Sequence, residues 1–107
     1  MVTPPTLGTP CRAATTANIS LSGLQTIDGI ALIAGDRVLV KNQTTATQNG
    51  IYTVASGSWT RSTDADTYSE LVAAYTFVEG GTVNANNGFI CTIVAGGTLG
   101  TTPITFA

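Results

Sequence analysis

The amino-acid sequence predicts an all-β fold: a small antiparallel β-sandwich or barrel with an extended Pro-rich N-terminal arm and at most one short helix. Three observations predict it. Short runs of β-branched and aromatic residues recur along the chain and are cut at regular intervals by Gly, Asn and Asp pairs. The apolar share is an ordinary 43%, yet only 9% of the 107 residues are charged, where a soluble domain carries roughly a quarter. Three of the four prolines, Pro4, Pro5 and Pro10, fall in the first ten residues, which favours a polyproline-like segment over helix or central strand. With a net charge of −2 and a mean hydropathy of +0.28, the composition is opposite to that of a disordered chain.

Two parts follow, an arm over residues 1–12 and a single β domain over residues 13–107. Between Leu21 and Ile33 the apolar residues stand at mixed spacings broken by Gly23 and Asp28-Gly29, which reads as short strands and turns, since Gly and β-branched residues at that density oppose a helix. Asp36 to Lys41 is the clearest strand, with Val38 and Val40 facing one side and Arg37, Leu39 and Lys41 the other. Asn49-Gly50 marks a turn before a strand over Ile51 to Val54, and Ser56-Gly57-Ser58 returns the chain into Trp59-Thr60-Arg61 as a hairpin. Asp66-Thr67 caps the one candidate helical turn, Tyr68 to Val72. Ala74 to Glu79 alternates as a strand with Tyr75 and Phe77 on one face, Phe89 to Val94 is the next strand, and Ile104 to Phe106 the last. Strands at this spacing predict the sandwich or barrel.

Composition excludes whole classes of function. With no His in the sequence, a His general base, a His-containing triad and an imidazole metal site are ruled out. Four dispersed basic residues, Arg12, Arg37, Lys41 and Arg61, and a pI near 4.5 oppose a nucleic-acid partner. Gly80 to Ala107 is free of charge but interrupted by Gly, Asn, Pro and Thr, so it is no apolar span of ~20 residues, and no membrane role is expected. Met1 to Pro10 has neither the basic start nor the apolar stretch of a secretory signal.

Few residues are candidates for chemistry. Asp64, Asp66 and Glu70 place three carboxylates close together, but the sequence lacks the Gly and bidentate Glu of a calcium loop, and a solvated turn with a capping Asp accounts for them. No metal, cofactor or catalytic residue is expected. Cys11 and Cys91 leave two readings open: a disulfide closing a loop of about 80 residues, worth roughly 4 kcal/mol, or two reduced thiols. Without His or a C-x-x-C pair they make no zinc site. Tyr52, Trp59 and Tyr75 are the aromatic residues best suited to stack on a sugar ring, against the competing reading of ordinary core or cross-strand packing.

An ordered set of segments carries a resemblance: ATTANISLSGLQTID from Ala14 to Asp28, GDRVLVKNQ from Gly35 to Gln43, and QNGIYTV from Gln48 to Val54. Trp59-Thr60-Arg61, Thr63 to Asp66, Phe77 to Thr82 and Asn87-Gly88-Phe89 follow in turn. In order and spacing, over about Ala13 to Phe106, they resemble a module of tail-fibre and related structural proteins of tailed bacteriophages and prophages. The resemblance implies a non-enzymatic β-rich virion protein, assembled in the host bacterial cytoplasm. Its partners would be copies of itself in a homotrimer, other tail, baseplate or major capsid proteins, and a host surface glycan.

In long fibres the module is one piece of a larger chain, whereas this sequence begins at Met1 with a Pro-rich arm. A small tail or baseplate appendage and a capsid decoration (cement) protein are therefore both expected readings, with a carbohydrate-binding host-recognition module as a further alternative. A surface of Thr, Ser, Asn and Gln is cheap to desolvate against a partner, and the charge-free stretch from Gly80 onward is expected to be covered by neighbouring subunits.

Overall fold

The computed structural model describes Thr9 to Ala107, and the arm expected over residues 1–12 lies outside the described residues up to Gly8. The described chain is mainly short β-strands in several small sheets. They run β1 Ala13–Ala14, β2 Thr26–Ile27, β3 Ile30–Ala31, β4 Arg37–Val40, β5 Gly50–Thr53, β6 Thr60–Arg61, β7 Tyr75–Phe77 and β8 Gly88–Ile90. A 3-10 turn, Ala46–Gln48, precedes β5, and one helical turn, Tyr68–Leu71, precedes β7. Thr67 caps that helical turn by accepting from the Glu70 N–H at 3.2 Å.

The largest sheet has the order β1-β4-β5-β6. β4 is central in it, and alternation along the strand divides the core in two. Val38 and Val40 lie in one apolar cluster with Ala13, Tyr52, Val54 and Trp59. Leu39 lies in the other, with Ala14, Ile51, Leu71 and Ile104. The register accounts for the division: Val38 pairs with Ala13 and Tyr52, and Leu39 with Ala14 and Ile51, so each rung sends its side chains to a single face. Val38, Leu39 and Val40 are all fully buried. The alternation read from sequence is correct, but the face that held Arg37, Leu39 and Lys41 is covered at Leu39, because the chain after β6 folds back over it.

Three local features differ from the sequence expectation. The β1–β4 pair is parallel, not antiparallel, because the first strand enters between β4 and the segment that follows β7. On that second side the Cys11 N–H donates to the Phe77 carbonyl at 2.8 Å and the Glu79 N–H to the Cys11 carbonyl at 2.9 Å. Cys11 and Arg12 thus already belong to the hydrogen-bonded domain. Second, Asn49-Gly50 is not a hairpin turn. Gly50 pairs with Val40 inside the sheet, and the buried Asn49 side chain accepts from the Gln43 N–H and donates to the Ile104 carbonyl, both at 2.9 Å. Third, the strand expected over Phe89 to Val94 ends at Ile90, and Cys91 makes only an isolated bridge to Phe106.

The two-stranded ribbons are closed by local chemistry. Asp28 and Gly29 both have positive φ, 49° and 82°, the backbone of a two-residue type I′ hairpin between β2 and β3. The Asp28 carboxylate then reaches out of the turn and accepts from the Val83 and Asn84 N–H groups at 2.9–3.0 Å. Asn84, itself buried, donates to the Ala14 and Thr15 carbonyls. The ribbon β2–β3, the loop after β7 and the first strand are thereby joined through side-chain oxygens and amides.

Candidate functional site

One groove and one surface collect the side chains that could meet a partner. The groove, about 260 Å³, is lined by Arg37, Ile51, Asp64, Ala65, Glu70, Val72, Ala73, Ala74 and Tyr75. It opens where the helical turn hands the chain to β7. Its floor is apolar, and Ile51 and Ala65 are members of the Leu39 cluster. Its rim is polar. Arg37 Nη1 donates to Asp64 Oδ1 at 2.5 Å and Nη2 to the Thr9 carbonyl at 3.0 Å, while the buried Arg37 Nε has no hydrogen-bond partner among the described residues. Ala73 turns the chain into β7 with φ of 61°, a left-handed conformation uncommon for a residue with a Cβ.

The structure separates the three carboxylates by role. Asp64 pairs with Arg37. Glu70 reaches back to accept from the Asp66 N–H at 3.0 Å. A side-chain hydrogen bond between Asp66 and Glu70 raises the Asp66 carboxyl above the usual carboxylate range and lowers Glu70. Two carboxyl groups that interact within one turn shift apart in this way. Asp64 and Glu70 line the groove and Asp66 does not. Among the described residues no group of three or more His, Cys, Asp or Glu is placed to hold a metal ion, and no helix is long and apolar enough to cross a membrane.

The aromatic set proposed for a sugar is not assembled. Tyr52 and Trp59 are 5% and 6% exposed and share one core cluster. The Tyr52 hydroxyl donates to the Gln48 carbonyl at 2.6 Å and Trp59 Nε1 to the Gly23 carbonyl at 2.9 Å. The outer wall of Tyr52 is taken by Arg61, whose guanidinium stacks 5.1 Å from the ring centre. Both residues are therefore packing residues, corrected from glycan contacts, because the β5–β6 hairpin turns that face inward. Tyr75 alone is exposed, at 38%.

Cys11 and Cys91 are both buried free thiols in one cluster. The register keeps them apart. Cys11 pairs along one edge of the β7 strand beside Val78, and the Cys91 N–H bonds the Ala74 carbonyl on the opposite edge. Two strand spacings, ~9–10 Å, separate the two backbones, beyond the ~7 Å that a disulfide spans. Of the two readings left open by the sequence, the thiol reading is the one this geometry accommodates. Burial raises both thiols above their ordinary value, and a hydrogen bond from Thr76 Oγ1 at 3.3 Å partly offsets this at Cys11.

The surface is the outer face of the β7–β8 ribbon. Tyr75 and Ile90 are a direct cross-strand pair, with Phe77 two residues along, and Phe77 and Ile90 are 39% and 44% exposed. Thr76, between them, is buried. The ribbon thus turns a polar side chain inward and three apolar ones outward. No sequence signal marked this inversion beyond the alternation that put Tyr75 and Phe77 together. Comparison with protein-family models, curated proteins and solved structures returns no match.

Proposed function

We propose that this protein is a non-enzymatic virion structural protein of a tailed bacteriophage. In this reading it is a small tail-fibre or tail and baseplate module that assembles with copies of itself as a homotrimer. The observation that carries the reading is the outward apolar face of β7–β8, Tyr75, Phe77 and Ile90, which borders a stretch without a single charge from Gly80 to Ala107. Contiguous apolar side chains on an otherwise polar, weakly charged surface mark an association site. The resemblance of the ordered segments to phage tail modules names the kind of assembly.

The architecture is read as a small sandwich-like domain, supported by two apolar clusters on opposite faces of the β1-β4-β5-β6 sheet. A capsid decoration role uses the same face, and copy number separates the two: tens per particle for a tail component, hundreds for a decoration protein. The glycan-recognition reading keeps only Tyr75 of its three aromatic contacts.

Light scattering on the purified protein at micromolar concentration is expected to give a trimer, and Phe77→Asp, whose side chain points out of the fold, is expected to give a folded monomer. A monomeric parent protein, or a Phe77→Asp variant that keeps its oligomeric mass, would remove this face as the assembly surface.

A further inference from the structure

We infer that Asn87-Gly88 is a self-modification site, at which Asn87 converts through a cyclic imide to aspartate and isoaspartate. The sequence holds two Asn-Gly pairs, Asn49-Gly50 and Asn87-Gly88. Both have the chemistry for it, because glycine has no Cβ to shield its backbone nitrogen from the preceding side chain. The fold leaves one of them free to react. At Asn49-Gly50 the participating atoms are held. Asn49 is 4% exposed, and its side chain accepts from the Gln43 N–H and donates to the Ile104 carbonyl, both at 2.9 Å. The Val54 N–H donates to the Asp36 carbonyl and so sets the alternation of the β4–β5 ladder. Gly50 therefore shares a bonded rung with Val40, and its N–H is engaged.

Asn87-Gly88 differs at each of these points. Both residues are exposed. The Asn87 side chain makes one bond among the described residues, from Nδ2 to the Val83 carbonyl at 3.4 Å, longer than the ordinary range for such a bond. The Cys91 N–H donates to the Ala74 carbonyl and the Val78 N–H to the Asn87 carbonyl, which makes Phe77 and Gly88 a non-bonded rung. The Gly88 N–H thus points away from β7 and has no acceptor among the described residues. The ladder also ends here in a bulge. The Val78 carbonyl accepts from the Asn86 N–H while its own N–H donates to Asn87, and Asn86 has φ of 65°. A free nitrogen, a loosely held amide and a broken ladder give the pair the freedom that ring closure needs. Glycine is required at this place for a separate reason, since a Cβ on Gly88 would overlap the Tyr75 hydroxyl.

In the reaction the Gly88 nitrogen, having lost its proton to base, bonds to Asn87 Cγ. The Cγ–Nδ2 bond breaks, and Nδ2 takes up a proton and leaves as ammonia. Water then opens the imide ring. Opening at Cγ gives aspartate, and opening at the backbone carbonyl carbon gives isoaspartate, with no change of oxidation state in either case. Each product adds a carboxylate at the end of the β7–β8 ribbon, within the stretch from Gly80 to Ala107 that holds no charged side chain.

The test is peptide mapping by mass after the purified full chain is incubated in mildly alkaline buffer, with the same chain in denaturant as reference. In denaturant Asn49 and Asn87 are expected to convert at similar rates. In the folded protein Asn87 is expected to convert at least about tenfold faster than Asn49, which reacts only when the sheet opens. Isoaspartate at position 87 and a rate that rises with pH identify the imide route. Asn87→Gln is expected to remove the acidic product seen on ion exchange. An Ile90→Asp variant is run beside the parent, so that cover of the ribbon by neighbouring copies is read apart from protection by the fold. A smaller difference between Asn87 and Asn49 in every folded protein measured would overturn the inference. So would conversion at position 87 that yields aspartate without isoaspartate.

Discussion

At the residue scale, neutral and acidic side chains do the work that regular ladders do elsewhere. Gln43 exchanges two bonds with the Ile19 backbone, accepting its N–H and donating to its carbonyl at 2.9 Å each, as a neighbouring strand would. Asn49, Asn84 and Thr15 satisfy buried backbone groups in the same way. Such bonds explain a chain rich in amides and hydroxyls, because irregular segments bury donors and acceptors that must find partners. Asp28 is the strongest instance. Asp28→Ala leaves the Val83 and Asn84 N–H groups without their acceptor and places Ala at φ of 49°. We expect a loss of about 1–3 kcal/mol in denaturant unfolding, with Asp28→Asn recovering part of it. None of this was legible in sequence, where Asp28-Gly29 signals a turn but not the loop its carboxylate reaches 55 residues away.

At the element scale, strand signals worked where the strand carries its own apolar alternation and failed where neighbours make it. β4, β6 and β7 fall inside the runs read as strands and β5 overlaps one from Ile51 to Thr53, since Val38, Leu39, Val40, Ile51, Tyr52 and Phe77 carry the apolar pattern of a strand. β1 is only Ala13-Ala14. It has no β-branched side chain and is a strand because β4 lies on one side and the chain after β7 flanks its approach. Asn49-Gly50 misled for a physical reason: a Cβ built at Gly50 overlaps Arg61 Nη1, and Arg61 donates to the Asn49 and Thr47 carbonyls at 2.9 and 3.0 Å. The glycine makes room for a guanidinium that ties the β4–β5 connection. Gly50→Ala is therefore expected to cost about 1–3 kcal/mol, with a lowered denaturant midpoint, and truncating Arg61 in the same chain should recover the steric part of that loss.

At the scale of the whole molecule, two buried thiols and a buried phenol give stability an alkaline limit. Burial raises Cys11, Cys91 and Tyr52 above their ordinary values of 9.0, 9.0 and 10.0, the effect on Tyr52 being partly offset by Arg61. The folded state thus holds these protons more tightly than the unfolded chain. The contribution of these three groups to stability is present below about pH 9 and is lost as pH rises through the folded values. Thermal unfolding from pH 7 to pH 11 should show a plateau followed by a decline. With no disulfide, reductant should leave Tm at pH 7 unchanged. The sequence by itself determined the β class, the main strands, the capped helical turn and the exclusion of His-based chemistry, because those depend on composition and on spacing within a few residues. Only the tertiary structure decided that Tyr52 and Trp59 are core, that the cysteines sit on opposite edges of one strand, and that the first strand is parallel. It alone also placed Arg37, Asp64, Glu70 and Tyr75 around one groove. Each of these depends on which strand lies beside which, and pairing across tens of residues is set by the summed burial of both sheet faces, which no local pattern encodes.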